Sequence, residues 1–296
     1  MLSDRLSEPI VSRFAPSPTG RLHLGHALSA VRAHDLARAA GGRFLVRIED
    51  IDATRSRPEH VDAILADLAA LGLGWDGPVW YQSQRLDAYA AALDQLRDAG
   101  LLYPCFCTRA DIAREVAASL SAPHGPDGPV YPGTCRALPP GLRAERLARD
   151  PHSWRLDMAA AVARVGPLDW HDATAGTIRA DPLGHGDVVL ARKDAPASYH
   201  LAVTVDDAAQ GVSDVVRGRD LFAATHVHRL LQALLGLAVP RYHHHPLIVS
   251  ADGRRLAKRD GASTLDRFRD ADGRLDDLAQ KLRAGRLPLG FALATA

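Results

Sequence analysis

The sequence predicts an α/β fold built around a doubly wound parallel sheet, with an insertion between its two halves. Strand-like and helix-like segments alternate over residues 1–100 and again over 193–296, as is typical of parallel sheets covered by helices. Residues 101–192 are richer in Pro, Gly and short mixed segments, which indicates an insertion. With 296 residues, 47% hydrophobic and 24% charged, the chain is long enough to bury a sizeable core.

The first half contains two strand-and-helix units. Residues 10–14 form a short β-like run before a turn-rich loop, and 27–40 have the composition of a helix. Residues 44–48 alternate apolar and polar side chains as a second strand, and 59–71 form an amphipathic helix behind Pro58.

The second half repeats this order. Strand-like runs occur at 199–205 and 214–217, a helix is expected at 221–237, and another strand-like run occupies 246–249. The strand ends of both halves should therefore meet at one edge of the sheet, where ligands bind in folds of this class.

Charge and hydropathy exclude some classes of protein. There are 36 basic and 35 acidic residues, a net charge of +1, so RNA binding would need a local basic surface such as 254–259. The first ten residues lack the apolar core of a signal peptide, and no run of about 18 apolar residues occurs. We expect a cytoplasmic protein that binds no membrane.

Residues 13–26 read RFAPSPTGRLHLGH and lie between the first strand and the first helix. Gly25 lets a nucleotide approach the backbone, and His23 and His26 flank a helix N-terminus, which favours a phosphate. Both imidazoles could donate to a phosphoryl oxygen during displacement at phosphorus. A surface histidine and a capping histidine are the structural alternative.

Glu49, Arg217 and Tyr199 follow as candidates for binding an amino acid. Glu49 stands at the end of the second strand, where it could bind an ammonium group or simply form a solvated ion pair. A substrate with two carboxylates needs cationic side chains, and we assign Arg13 and Arg217 to them, with the Tyr199 phenol as an orienting hydrogen bond. Which arginine takes which carboxylate is left open, and a half-buried strand aromatic and a surface ion pair are the alternatives.

All three cysteines, Cys105, Cys107 and Cys135, fall within 31 positions. Three thiolates and one further N or O ligand would complete a closed tetrahedral zinc site. On chemistry alone, His124 or a water would be the fourth ligand, and three buried reduced cysteines without a metal are the alternative.

Four segments resemble the class I aminoacyl-tRNA synthetases of the glutamyl and glutaminyl branch. Residues 13–26 resemble the signature whose family form reads HIGH, 47–55 (RIEDIDATR) resemble its RIEDxDxxR segment, and 192–217 its glutamate-binding segment. Residues 255–259 (RLAKR) stand where the family has KMSKS, with Arg255 in place of the first lysine and Ala257 and Arg259 in place of the two serines. The resemblance implies a Rossmann-like class I catalytic domain, divided into a first half (1–100), a zinc-bearing, acceptor-binding-like insertion (101–192) and a second half with a short helical tail (193–296).

The resemblance also assigns roles to residues. The implied catalytic residues are His23, His26 and Lys258. The implied ATP-binding residues are His23, Gly25, His26 and Lys258, and the resemblance implies that ATP binds with Mg²⁺. The implied glutamate-binding residues are Arg13, Ala15, Ser17, Glu49, Tyr199 and Arg217.

Within this branch the chain resembles the glutamyl-queuosine tRNA(Asp) synthetases. Only 38 residues follow Lys258, so we expect no separate anticodon-binding domain, which would need roughly 100. That family implies one structural zinc, with Tyr131 as the fourth ligand, and a monomer that activates L-glutamate with ATP without tRNA. The acceptor would be the queuosine base of tRNA(Asp).

Three other functions compete with this one. A minimal glutamyl-tRNA synthetase would charge tRNA(Glu), and a small-molecule adenylyltransferase would share the His23/His26 motif without the amino-acid-binding set. A catalytically silent RNA-binding relative would retain the fold, and the divergent 255–259 segment is the feature that favours it.

Overall fold

The computed structural model describes residues 9–118, 124–125, 128–250, 253 and 264–294. The strands are β1 (Val11–Phe14), β2 (Arg43–Ile48), β3 (Trp80–Tyr81), β4 (Leu102–Cys105), β5 (His124–Gly125), β6 (Gly128–Pro129), β7 (Ser153–Leu156), β8 (Asp169–Asp172), β9 (Gly176–Arg179), β10 (Val189–Ala191), β11 (Asp214–Gly218), β12 (Arg241–His245), β13 (Ile248–Ser250) and β14 (Phe291–Leu293). The helices are α1 (Leu24–Ala39), α2 (Pro58–Ala70), α3 (Leu86–Asp98), α4 (Arg109–Ala118), α5 (Pro140–Arg149), α6 (Met158–Val165), α7 (Tyr199–Ala209), α8 (Ala224–Leu235) and α9 (Asp276–Arg283).

The central sheet has the strand order β3-β2-β1-β11-β12-β8-β9. Every neighbouring pair is parallel except the β8–β9 hairpin. The order reverses between β1 and β11, because β2 and β3 extend the sheet on one side and β12 on the other. Such a switch point opens a crevice at the carboxyl ends of the two strands. The predicted α/β fold with a mostly parallel sheet is confirmed.

The segment 101–192 contributes to two sheets. β4, β7 and β10 form a separate antiparallel sheet in the order β10-β7-β4, and β4 ends at Cys105. β8 and β9, which lie in the same segment, instead extend the central sheet beside β12. The three-part division of the chain stays a prediction.

Two apolar clusters hold the layers together. One joins the central sheet to α1, α2 and α9 through side chains such as Leu28, Phe44 and Leu68. The other joins α3, α6, α7 and α8 around Tyr89 and Leu201. No helix in the described part of the chain has the length and apolar character needed to cross a bilayer.

The prediction of a strand over 199–205 is wrong, because these residues begin α7. The β-branched residues in this run suggested a strand, but the side chain of Ser198 caps the helix by accepting a hydrogen bond from Leu201 N at 3.5 Å. α7 then packs between α3 and α8, so tertiary burial overrides the local preference. The other expected helices agree with the structure to within a few residues.

Gly42 provides a test of how α1 leads into β2. An added Cβ at this position would lie 1.9 Å from the backbone oxygen of Ile10, which accepts a hydrogen bond from Arg43 N. Gly42→Ala should therefore lower the free energy of unfolding by at least about 2 kcal/mol, measured by urea denaturation. Gly74→Ala is the matched control, because nothing lies within 4 Å of its Cβ. Equal stability of the two variants would contradict this packing.

Candidate active site and metal centre

A cleft of ≈ 820 Å³ opens where β1 and β11 end and α1 begins. Its lining includes nine residues that the sequence singled out. They are Arg13, Ala15, Ser17, His23, Gly25, His26, Glu49, Tyr199 and Arg217. The tenth candidate, Lys258, lies outside the residues that the structure describes. The motifs are therefore brought together at the switch point of the sheet, although they are far apart in the chain.

His23 and His26 form the entrance to α1. His23 is the N-cap residue, and its Nδ1 accepts a hydrogen bond from Gly25 N at 3.1 Å, while His26 Nδ1 accepts one from His23 N at 3.3 Å. Because Nδ1 is the acceptor in both neutral rings, the ring proton lies on Nε2. The rings stack with centroids 3.8 Å apart. Both histidines thus take part in capping the helix, and both line the cleft.

Gly25 is required by the neighbouring imidazole. A Cβ on Gly25 would lie 3.0 Å from Cε1 and 3.2 Å from Nδ1 of the His23 ring. A side chain here would push that ring away from its capping position. The glycine therefore positions a histidine, in addition to the nucleotide approach that the sequence suggested.

The carboxylate of Asp207 bridges two arginines beneath the cleft. Arg13 donates from Nε (2.9 Å) and Nη2 (3.1 Å), and Arg47 donates from Nη2 at 2.8 Å. All three residues are buried. Burial alone would raise the pKa of Asp207, but the two guanidinium groups hold it below its usual value. Arg13 therefore lines the cleft with its charge partly compensated.

Glu49 lies just beyond β2, on the cleft wall. Its Oε1 is 3.6 Å from Arg47 Nη2, and its side chain is 10% exposed. Burial raises the pKa of Glu49 to about 7, although the charges of Arg47 and Arg13 lower it. A cationic group entering the cleft would favour the ionised carboxylate.

Arg217 lies on β11, next to β1, and is 5% exposed. Its Nη1 donates to the hydroxyl of Tyr199 at 3.2 Å. Tyr199, at the first turn of α7, is 37% exposed and lines the cleft. The arginine and the phenol that the sequence assigned to one substrate therefore contact each other.

The thiols of Cys105, Cys107 and Cys135 have their sulfur atoms within 4.8 Å of one another. Cys107 Sγ and Cys135 Sγ are 3.5 Å apart, and the Tyr131 hydroxyl is 3.5 Å from both Cys105 Sγ and Cys107 Sγ. Zn–S bonds of about 2.3 Å in a tetrahedron place sulfur atoms roughly 3.8 Å apart. The cluster could therefore hold a metal ion with little rearrangement, and the Tyr131 hydroxyl lies beside it.

Cationic side chains surround this cluster. The guanidinium of Arg155 lies 3.8 Å from the ring centroid of Tyr131, and that of Arg146 lies 4.4 Å from the ring of Phe106. Lys193 Nζ donates to the carbonyl of Phe106 at 2.8 Å. These charges would offset the negative charge of three thiolates around a divalent ion.

Comparison with known proteins assigns the family. The family described as tRNA synthetases class I (E and Q), catalytic domain, matches residues 9–294. A glutamyl-Q tRNA(Asp) synthetase of Rhodobacter capsulatus is 52% identical, covering 88% of this chain and 95% of the relative. One of Nocardia farcinica is 49% identical, covering 93% and 80%. The chain belongs to the glutamyl-Q tRNA(Asp) synthetase family.

Solved structures agree with this family assignment. A glutamate tRNA ligase from Elizabethkingia meningosepticum, in complex with its amino acid, superposes with a TM-score of 0.75 at 28% identity. A glutamate-tRNA synthetase from Elizabethkingia anophelis gives 0.74 at 28% identity. They cover 90% and 86% of this chain, whereas this chain spans only 56% and 53% of theirs.

Sequence reasoning missed several polar residues behind the cleft. Asp207, His228 and His244 are all buried, and each contacts one of the two candidate arginines. Asp207 follows the Tyr199 motif by two helical turns, and this spacing could have indicated it. His244 is the middle of three consecutive histidines in β12, and nothing local distinguishes it from His245, which is also buried.

The pKa of Glu49 predicts a pH dependence of stability. Because the folded-state pKa is about 7 against 4.5 for the free carboxyl, the folded protein holds a proton that the unfolded chain releases between these values. The free energy of unfolding should therefore fall as pH rises from about 4.5 to 7, relative to Glu49→Gln. Urea denaturation of both proteins across this range measures the difference. A constant difference between them would contradict the raised pKa.

Proposed function

We propose that this protein activates L-glutamate with ATP without tRNA and transfers the glutamyl group to the queuosine base of tRNA(Asp). The observation that carries the proposal is that nine motif residues line one cleft. The relatives of this chain are named glutamyl-Q tRNA(Asp) synthetases. A cytoplasmic location and a monomeric state stay predictions.

Adenylation begins with attack of the glutamate α-carboxylate on the α-phosphorus of ATP. A new P–O bond forms, the bond to pyrophosphate breaks, and glutamyl adenylate and pyrophosphate result. His23 and His26 line the cleft at the N-terminus of α1, where hydrogen-bond donors and the helix dipole would stabilise phosphoryl oxygens. Lys258 is proposed to neutralise the departing pyrophosphate, with Mg²⁺ on the ATP.

The amino acid would be bound by the opposite wall of the cleft. Glu49 accepts the ammonium group, while Arg13 and Arg217 donate to the carboxylates and the Tyr199 hydroxyl orients one of them. The backbone around Ala15 and Ser17 lines the space between them. The cleft thus offers both signs of charge, as an amino acid with an acidic side chain requires.

Transfer requires a second nucleophile. A hydroxyl oxygen of the queuosine cyclopentenediol attacks the glutamyl carbonyl carbon, an ester bond forms, and AMP leaves while the hydroxyl proton is released. AMP is a good leaving group, so positioning of the acceptor supplies much of the rate.

Zinc fits the cysteine cluster. We propose that Cys105, Cys107, Tyr131 and Cys135 hold one structural zinc, because four protein ligands complete a closed tetrahedron. Bound zinc would tie β4 to the loop that carries Tyr131 and Cys135. Residues 101–192 would form the insertion that this metal stabilises.

Transfer of labelled glutamate tests the function. With ATP, label should appear on tRNA(Asp) that contains queuosine, but not on queuosine-free tRNA(Asp) or on tRNA(Glu). Glutamate should also support ATP–pyrophosphate exchange without tRNA. Label on tRNA(Glu) would instead indicate a minimal glutamyl-tRNA synthetase. Absence of both transfer and glutamate-dependent exchange would favour a small-molecule adenylyltransferase or a silent RNA-binding relative.

The zinc proposal makes a separate prediction about Tyr131. Tyr131→Phe removes one ligand and should weaken zinc binding at least roughly tenfold, measured by competition with a chromophoric chelator. Cys135→Ser should weaken it further, and removing the metal should lower the melting temperature of the wild type. Tyr81→Phe, outside the cluster, is the control. Unchanged affinity in Tyr131→Phe would show that another group completes the tetrahedron.

A further inference from the structure

Arg217 is held by neutral groups on all sides. Its Nε donates to His244 Nε2 at 3.1 Å, and its Nη1 lies 3.2 Å from His228 Nδ1. Its Nη2 donates to the hydroxyl of Thr225 at 2.6 Å, and Tyr199 is the fourth neighbour. No salt bridge joins Arg217 to a carboxylate in the described part of the chain. This differs from Arg13, whose charge is compensated by Asp207.

The two histidines have defined tautomers. Asp172 Oδ2 accepts from His244 Nδ1 at 2.8 Å, so the Nδ1 of that ring carries the proton and its Nε2 is the acceptor that faces Arg217. For His228 the assignment is reversed. Its Nδ1 is the acceptor toward Arg217, and its Nε2–H donates to Nδ1 of His200 at 3.2 Å.

Both rings stay neutral at neutral pH. His228 is 2% exposed and His244 is 7% exposed. Burial, followed by the charge of Arg217, lowers the pKa of His228 well below its usual value. The same two causes lower the pKa of His244 to about 4, although Asp172 opposes them. Neither ring therefore adds a charge next to the guanidinium.

We propose that His228 and His244 are positioning residues that fix the Arg217 guanidinium and leave its charge uncompensated, so that the cleft selects a carboxylate over a carboxamide. This rests on the proposed activation of glutamate. The two acceptors occupy different edges of the guanidinium, from α8 and β12 respectively, and so determine its plane. The four contacts of the guanidinium leave one N–H, on Nη2, for an entering ligand.

The lack of a carboxylate partner determines how Arg217 responds to the charge of an entering ligand. A buried guanidinium without a counter-ion gains much from an entering anion and little from a neutral amide. An amide nitrogen would also place its N–H groups against the N–H groups of Arg217, leaving donors unpaired. Had an acidic residue replaced either histidine, the arginine would already be paired and this preference would be weakened.

Crossed amide substitutions test the geometry. An Asn oxygen can replace a histidine Nδ1, and a Gln oxygen can replace an Nε2, so His228→Asn and His244→Gln should retain the acceptor. The exchanged variants, His228→Gln and His244→Asn, should misplace it. We expect the exchanged pair to raise the KM for glutamate roughly ten- to hundredfold in ATP–pyrophosphate exchange, without a comparable change in the KM for ATP.

The preference for glutamate over glutamine is the second readout. It should fall in the exchanged variants and be restored in the acceptor-retaining ones, whereas a merely structural role would affect both substrates and ATP alike. Circular dichroism and the KM for ATP identify any variant that fails to fold. If an exchanged variant fails, the acceptor-retaining variant at the same position still tests the preference for glutamate over glutamine. Similar kinetics for the two amides at each position would overturn the proposal. Absence of glutamate-dependent exchange in the wild type would instead overturn the proposed function.

Discussion

The buried carboxylate of Asp207 is the constraint on which the cleft depends. It lies between Arg13 of β1 and Arg47 of β2, and thereby joins α7 to two neighbouring strands of the sheet. Removing one member of such a group leaves a buried charge unpaired, which costs about 3–5 kcal/mol. The preceding residue, Asp206, accepts hydrogen bonds from Arg85 and from other donors on the α3 side. Two adjacent carboxylates therefore fix the helix whose first residue lines the cleft.

The arginines of the cleft therefore differ in how far their positive charge is compensated. Arg13 and Arg47 share a carboxylate, so their positions are rigid and their charges are partly neutralised. Arg217 is held just as firmly, but by hydroxyl and imidazole groups that leave its positive charge intact. The neighbours of Arg13 hold it rigidly and neutralise part of its charge, whereas the neighbours of Arg217 hold it rigidly and leave its charge intact. The cleft can therefore attract an anion without losing its shape.

Much of this site could be predicted from the sequence, because the motifs are contiguous. Residues 13–26 join a strand to a helix, so their order alone places His23 and His26 at a helix N-terminus. Tyr199 was placed correctly at the cleft but on the wrong element, since local propensity does not report the packing of α7. His228 and His244 could not be predicted, because they belong to separate elements that only the tertiary structure brings to Arg217.

The segment 101–192 is also linked to the amino-acid side of the cleft. Lys193 donates to the carbonyls of Phe106 and Cys107, so the loop that carries Cys107 contacts the segment that leads into α7. β8, from the same part of the chain, carries Asp172, which orients His244 and through it Arg217. The cysteine cluster itself is linked to the cleft through the segment that leads into α7. Because Asp206 and Asp207 fix α7 independently, this link joins the cysteine cluster to a helix that is already held in place.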